Sequence, residues 1–218
     1  METTATNGSL DGRGKSITTF VVYEASRRLE KMTDGQQLEI LTDNFEPFEA
    51  DIAAWCQATG HRLVGTEASG EGLRFLVEKG SREASGKRLA MVISAKGLEE
   101  LLSPLGFALA AALEGIEAHL YFQGPAVRVL ARGFRPKLKG WSRPFSRFAA
   151  AGMSRAGHIP AQAKLDQLRT LGAQLYVCGP SMERFKVARD QLLFDELPIV
   201  EYLTFMRVME KADIQLYI

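Results

Sequence analysis

The sequence predicts an α/β protein in which an N-terminal two-layer βαβαββ unit precedes a domain with a mostly parallel sheet flanked by helices. Two observations support this prediction. Up to about residue 80, apolar residues follow strand or helix spacing in the order strand, helix, strand, helix, strand, strand. Beyond residue 87, continuous apolar runs alternate with helical segments, which is typical of strands covered on both faces of a parallel sheet.

The first unit, residues 9–80, is expected to follow a disordered polar tail at residues 1–8. A polar turn at Leu10–Gly14 leads into a helix, which the Thr33-Asp34-Gly35 turn closes. After that turn the spacing predicts a strand, a helix and two strands joined by a hairpin-type loop, at residues 37–42, about 47–60, 61–68 and 73–79.

A glycine-bounded polar stretch at residues 81–87 predicts a linker to the second domain, residues 88–218. Apolar runs there predict strands at 89–94, 118–122, 175–177 and 213–218. Helical spacing predicts helices at 98–113, 126–132, 162–171, 181–193 and 200–209. Residues 133–159 are irregular and rich in arginine and lysine, which is typical of a lid or a binding loop.

Composition and charge exclude several classes of protein. A hydrophobic fraction of 46% and a net charge of +1 indicate a soluble globular protein with no general attraction to nucleic acid or membranes. The longest apolar stretch, Leu105–Leu113, is too short to span a bilayer. Cys56 and Cys178 are far apart and make neither a disulfide framework nor a zinc-ligand pattern. We therefore expect a cytoplasmic protein without a metal or an organic cofactor.

Cys178 lies where a predicted strand meets a predicted helix. Leu175-Tyr176-Val177 suits a buried strand, Gly179 permits a tight turn, and Pro180 fits the first position of a helix. Backbone N–H groups at a helix start favour a thiolate, and Ser181 is placed to donate a hydrogen bond to it. The motif therefore predicts nucleophilic or persulfide chemistry. The alternative is that Cys178 is an inert apolar residue that closes a strand.

Other candidates surround this motif. His158 is a candidate acid or base for the thiol. A set of basic residues is predicted to bind an anionic sulfur donor or an acidic partner surface: Arg135, Lys137, Lys139 and Arg143. The alternatives are a solvated loop or a nucleic-acid strip, and the near-neutral charge argues against the second. Cys56 follows Trp55 on an apolar helix face and is predicted to belong to the core.

Residues 88–218 resemble the DsrE/DsrF-like family of sulfur-relay proteins. The resemblance rests on the opening apolar strand, on Tyr121-Phe122-Gln123-Gly124-Pro125-Ala126-Val127 and on Val177-Cys178-Gly179-Pro180-Ser181-Met182. It implies that Cys178 carries a persulfide. It also implies homo-oligomers, trimeric or larger, and partners such as rhodanese-type donors or other sulfur-carrier proteins.

Residues 9–80 resemble TusA-like sulfur carriers, through Leu10-Asp11-Gly12-Arg13-Gly14, Leu38-Glu39-Ile40-Leu41-Thr42-Asp43 and Gly60-His61-Arg62-Leu63. Such carriers have Cys-Pro-x-Pro shortly after the Arg-Gly pair, whereas this chain has Ile17-Thr18-Thr19-Phe20. We interpret the first domain as a degenerate carrier that docks partners, stabilises the assembly or regulates access.

The sequence leaves two hypotheses. In the first, Cys178 accepts sulfane sulfur and passes it to a partner thiol by thiol–persulfide exchange. In the second, the chain is a non-catalytic interaction or regulatory module of a sulfur-relay assembly. The retained Cys178 favours the first hypothesis, and the missing Cys-Pro-x-Pro favours the second for the N-terminal domain.

Overall fold

The computed structural model describes residues 6–15, 17–43, 47–70, 72–81, 85–138, 140–146, 148–149, 151 and 159–218, without the side chains of Leu98, Glu99 and Arg143. The chain forms two compact units, the first made mainly of residues up to Ser85 and the second of residues from Gly86 onwards. Within these ranges, the helices are all too short or too polar to cross a bilayer.

The first unit is a mixed sheet with two helices. Its elements are β1 (Gly8–Asp11), α1 (Thr18–Leu29), β2 (Gln37–Asp43), α2 (Pro47–Thr59), β3 (Arg62–Ser69) and β4 (Gly72–Glu78). The strand order is β1-β2-β4-β3, with β1 parallel to β2 and the other pairs antiparallel. The predicted βαβαββ order is confirmed, although the sequence analysis assigned no residues to its first strand.

Alternation along β2 and β4 builds the core of this unit. The side chains on one face of each strand are fully buried, and the residues between them are partly exposed. The buried side chains are Leu38, Ile40, Phe75 and Val77. Burying each such side chain contributes about 1.5–3 kcal/mol. The helices α1 and α2 contact each other and the sheet, so the unit has two layers.

The structure corrects the sequence reading at the start of the chain. Gly8–Asp11 are a strand, where we predicted the end of a disordered tail and a turn. Asn7 already bonds to Gln37 through both its backbone N–H and its side-chain oxygen. Leu10 is the one apolar residue in β1, so the sequence shows no alternation that would reveal a strand. The segment forms a strand because it pairs with β2.

The second unit is an open sheet of order β8-β7-β6-β5-β9, and each neighbouring pair in this order is parallel. Its elements are β5 (Arg88–Ile93), α3 (Leu98–Leu113), β6 (Glu117–Phe122), a 3-10 helix (Gly124–Leu130), a 3-10 helix (Gly140–Phe145), α4 (Ala161–Thr170), β7 (Gln174–Cys178), α5 (Gly179–Phe185), a 3-10 turn (Arg189–Gln191), β8 (Ile199–Val200), α6 (Tyr202–Met209) and β9 (Ile214–Tyr217). The predicted mostly parallel sheet flanked by helices is confirmed.

Two departures from the prediction lie next to Cys178. The helix expected at 181–193 is the shorter α5, which ends at Lys186 in the left-handed conformation, with φ of 53°. The helix expected at 200–209 begins at Tyr202, because Ile199–Val200 instead pair with the end of β7. A two-residue strand has too few positions to show a periodicity, so the sequence does not reveal it.

Candidate functional site

Cys178 is the last residue of β7, at the carboxyl edge of the parallel sheet. It pairs with Val200 of β8 on one side, and the preceding residue, Val177, pairs with Phe122 of β6 on the other. Open parallel sheets bind ligands beyond the carboxyl ends of their strands, so the thiol lies at the edge where such chemistry occurs. The residue is fully buried, with 0% relative exposure.

Ser181 connects the thiol to the neighbouring strand. Its hydroxyl donates a hydrogen bond to Cys178 Sγ at 3.0 Å and accepts one from the backbone N–H of Gly124 at 2.8 Å. Gly124 lies two residues after the end of β6 and begins the following 3-10 helix. Its φ is +53°, a conformation that glycine adopts readily. Because its oxygen is already an acceptor, the Ser181 hydroxyl is oriented to donate its hydrogen to the sulfur. A hydroxyl donor stabilises an anionic acceptor more than a neutral one.

The helix α5 begins at Gly179, directly after the thiol, where we predicted a turn at Gly179 and a helix start at Pro180. The helix has seven residues, so its dipole is weaker than that of the thirteen-residue helix we expected. A Cβ on Gly179 would meet Ile199 Cγ2 at 3.4 Å, an ordinary contact. The Ser181 side chain, on the first turn of this helix, makes a direct polar contact with the sulfur.

Tyr121 of β6 lies on the same face of the sheet as the thiol. It pairs with Tyr176, two residues before Cys178, so the side chains of Tyr121, Tyr176 and Cys178 project to one side. The ring of Tyr121 stacks on Phe205 of α6, with 4.7 Å between ring centroids. Burial and the neighbouring Cys178 thiol raise the pKa of the phenol, so it stays protonated. Its hydroxyl makes no hydrogen bond of ordinary geometry among the described residues, although it lies close enough to the Cys178 thiol to interact with it.

A polar cluster lies at the same edge of the sheet. The Gln123 side-chain amide donates to Ser94 Oγ at 3.0 Å and to the Tyr217 hydroxyl at 2.7 Å. These three residues follow or end β6, β5 and β9, so parallel strand ends bring them together. The sequence analysis did not identify this cluster, and the signal that would have found it is a polar residue directly after each of two apolar strands.

The predicted basic site is only partly visible. Arg135 and Lys137 are exposed, and within the described part of the chain neither bonds to Cys178 or Ser181. Lys139 and His158 lie outside the described residues, as does the side chain of Arg143. Their roles stay predictions.

His119 is packed within the sheet. It is 7% exposed, and its ring nitrogens lie 3.0 Å from the Tyr176 hydroxyl and 2.9 Å from Glu117 Oε1. It pairs with Gln174, four residues before Cys178, which corresponds to about 13 Å along a strand. At that separation it does not act directly on the thiol.

Cys56 is a core residue of α2, as its helical position predicts. It is 1% exposed, and burial raises the pKa of its thiol to about 12. Such a thiol is almost entirely protonated at neutral pH and is a poor nucleophile. Among the described residues, no three His, Cys, Asp or Glu side chains come together to form a metal site.

Comparison with known proteins assigns both units to sulfur-relay families. The model of the DsrE/DsrF-like family matches residues 87–217, which is more than half of the chain. The chain belongs to the DsrE/DsrF-like family. In this DsrE/DsrF-like chain, residues 20–79 also match the family model described as Sulfurtransferase TusA. That match begins at Phe20, so it does not include Ile17–Thr19.

Two individual proteins are similar to this DsrE/DsrF-like chain. The "Putative sulfur carrier protein YrkF" of Bacillus subtilis (strain 168) is 38% identical over 77 residues, which are 35% of this chain and 40% of that protein. The chain thus matches less than half the length of this relative. The ychN protein from E. coli, in its crystal structure, has a TM-score of 0.43 and 13% identity, and the match covers 61% of this chain and 99% of that one.

Proposed function

We propose that this protein traffics sulfane sulfur, which Cys178 accepts as a persulfide and passes to a partner thiol. The main support is the Ser181 hydroxyl, which donates to Cys178 Sγ at the carboxyl edge of a DsrE/DsrF-like domain. A hydrogen bond to sulfur stabilises the thiolate, which is the form that attacks another sulfur. The second match, to a TusA family model, supports the same sulfur-relay role.

The reaction needs no metal, oxidant or reductant. The Cys178 thiolate attacks the terminal sulfur of a donor persulfide, R–S–SH, and a new S–S bond forms as the donor's S–S bond breaks. The donor leaves as R–S⁻, and the proton stays on the transferred sulfur until the persulfide ionises and releases it to water. Delivery repeats the step in the other direction, because a partner thiolate attacks the outer sulfur and Cys178 leaves as thiolate.

The N-terminal domain has no thiol at the carrier position, and its one cysteine, Cys56, is a core residue. We therefore assign this domain a docking or regulatory role. The partners we propose are rhodanese-type donors and sulfur carriers that retain Cys-Pro-x-Pro. A reducing compartment such as the cytoplasm suits the free thiols, and assembly as a homo-oligomer, trimeric or larger, is part of the same proposal.

The complete burial of Cys178 favours a second candidate function. A thiol with no exposed surface reacts only when the structure opens locally, and a chain that never opens would serve as an interaction or regulatory module. If the protein is a carrier, the structure around Cys178 must open fast compared with sulfur transfer. The two candidates therefore differ in the rate at which small thiol reagents reach Cys178.

Intact mass spectrometry separates the two candidates. The reduced protein is exposed briefly to polysulfide or glutathione persulfide, beside the Cys178→Ser and Cys56→Ser variants. A carrier gains one sulfur that reductant removes, and the gain persists in Cys56→Ser and disappears in Cys178→Ser. If no sulfur is gained under conditions that load an established carrier, the module is correct.

A further inference from the structure

Tyr121 has a buried hydroxyl that makes no hydrogen bond of ordinary geometry with a described residue, although the Cys178 thiol lies close to it. The residue is 1% exposed, so its hydroxyl does not face bulk solvent. Buried polar side-chain atoms are almost always hydrogen-bonded, so one without a well-formed bond needs a structural or functional explanation. The hydroxyl lies on the face of the sheet that also carries Cys178.

We propose that the Tyr121 hydroxyl binds the outer sulfur of the Cys178 persulfide, an inference that rests on the sulfur-carrier function proposed above. In the resting protein Ser181 donates to the inner sulfur, Sγ. Loading adds a second sulfur about 2 Å beyond Sγ. In the loaded protein the Ser181 hydroxyl then donates to the inner sulfur, and the Tyr121 hydroxyl donates to the outer sulfur.

The sheet register places the two side chains as diagonal neighbours. Tyr121 pairs with Tyr176, and Cys178 follows two residues later on the same strand and the same face. Diagonal neighbours on adjacent strands lie within reach of an aromatic side chain. The phenol oxygen is near enough to Cys178 for the thiol to contribute, after burial, to the raised pKa of the phenol. Tyr121 therefore keeps its proton and acts as a donor.

The ring of Tyr121 is held in place by two other aromatic side chains. Phe205 stacks on it at 4.7 Å and 15°, and Tyr202 meets it edge-on at 6.3 Å and 73°. A donor fixed before loading loses little side-chain entropy when it binds the sulfur. A hydrogen bond from a neutral hydroxyl to an anionic acceptor is also stronger than one between neutral groups. These features favour the loaded, anionic persulfide over the free thiol.

The test replaces Tyr121 with Phe and compares it with Tyr176→Phe. Tyr176 is the cross-strand partner of Tyr121, and its hydroxyl bonds to the His119 ring and not to the thiol. Each protein, in a Cys56→Ser background, is equilibrated with glutathione persulfide and glutathione at several ratios, and the loaded fraction is measured by intact mass. Thermal unfolding of the unloaded proteins is measured in parallel.

We expect Tyr121→Phe to lower the equilibrium constant for loading about 10-fold, the effect of one hydrogen bond to a charged group. Its unloaded form should melt at or above the temperature of the parent protein, because an unsatisfied hydroxyl has been removed. Tyr176→Phe should show the opposite pattern, with unchanged loading and a lower melting temperature.

Two results would overturn the inference while leaving the carrier function intact. The first is a Tyr121→Phe protein that loads as well as its parent. The second is a Tyr176→Phe protein that loses loading as strongly as Tyr121→Phe, since loss from both would indicate general packing and not a specific contact. If the parent protein gains no sulfur at all, the proposed function fails, and this inference fails with it.

Discussion

The Ser181 hydroxyl lies 3.0 Å from the sulfur of Cys178 and donates to it. The two residues are three apart in sequence, at opposite ends of the turn from β7 into α5. The hydroxyl also accepts the Gly124 N–H, so the geometry around the sulfur depends on two neighbouring strand ends. The sulfur therefore has a dedicated donor, although it is buried among core residues.

Ser181→Ala should make Cys178 less reactive. Without the donor, the thiolate is less stable, and we expect alkylation at neutral pH to slow by about 3–10-fold. The Gly124 N–H loses its acceptor at the same time, so the free energy of unfolding should fall by about 1–3 kcal/mol. Iodoacetamide kinetics in a Cys56→Ser background and urea unfolding measure the two effects.

Ser94→Ala is the matched control for this substitution. Ser94 is a hydroxyl at the same sheet edge, bonded to the Gln123 side chain and not to the thiol. Its removal should leave the alkylation rate of Cys178 unchanged. Equal slowing in both variants, or no slowing in Ser181→Ala, would show that the Ser181 hydrogen bond does not activate the sulfur.

Cys56 should be inert in the folded protein. Burial raises the pKa of its thiol to about 12, and an unfolded thiol titrates near 8.5. The pKa of the thiol is higher in the folded protein than in the unfolded chain, so its full contribution to the free energy of unfolding is present at neutral pH. That contribution falls as the pH rises from about 8.5 towards 12. In Cys178→Ser, alkylation of Cys56 should need urea at neutral pH. Rapid labelling of the native variant would contradict the core assignment.

Glu117→Gln should make the free energy of unfolding of the second unit less dependent on pH in the acid range. Ion pairing with Arg88, assisted by His119, holds the pKa of the Glu117 carboxyl below its ordinary value. The stabilisation is therefore present above that ordinary value and is lost as the pH falls through the lower folded pKa. The side chain is 48% exposed, so screening reduces the effect to about 0.5 kcal/mol at neutral pH.

Urea midpoints at neutral pH and near pH 3 test this prediction. The deficit of Glu117→Gln should be present at neutral pH and should disappear in acid. Glu183→Gln is a suitable control, because Glu183 is exposed and forms no ion pair with any residue that the structure describes. A deficit that is the same at both pH values would assign Glu117 a packing role in place of an electrostatic one.

The strongly patterned elements could be predicted from the sequence. The apolar run at β5 and the alternation at β2 each encode their strand locally, so both strands are predicted where they occur. The elements missed depend on distant partners. β1 has one apolar residue and forms because β2 accepts it, and β8 is two residues long and forms because β7 ends beside it.

The candidate site divides in the same way. Cys178, Gly179 and Ser181 are consecutive or nearly so, and a strand–turn–helix pattern places them together. Tyr121 belongs to a strand 57 residues earlier than Cys178 by numbering, and only the register between β6 and β7 brings the two side chains to one face. Register depends on packing across the whole sheet, which sequence periodicity does not specify.

Discharge of loaded protein tests the carrier function most directly. The Cys56→Ser protein is loaded with glutathione persulfide, freed of small molecules and mixed with a carrier that retains Cys-Pro-x-Pro, and both masses are followed with time. We expect one sulfur to leave Cys178 as one appears on the acceptor thiol. A sulfur that remains on Cys178, or that leaves only when a strong reductant is added, would contradict it.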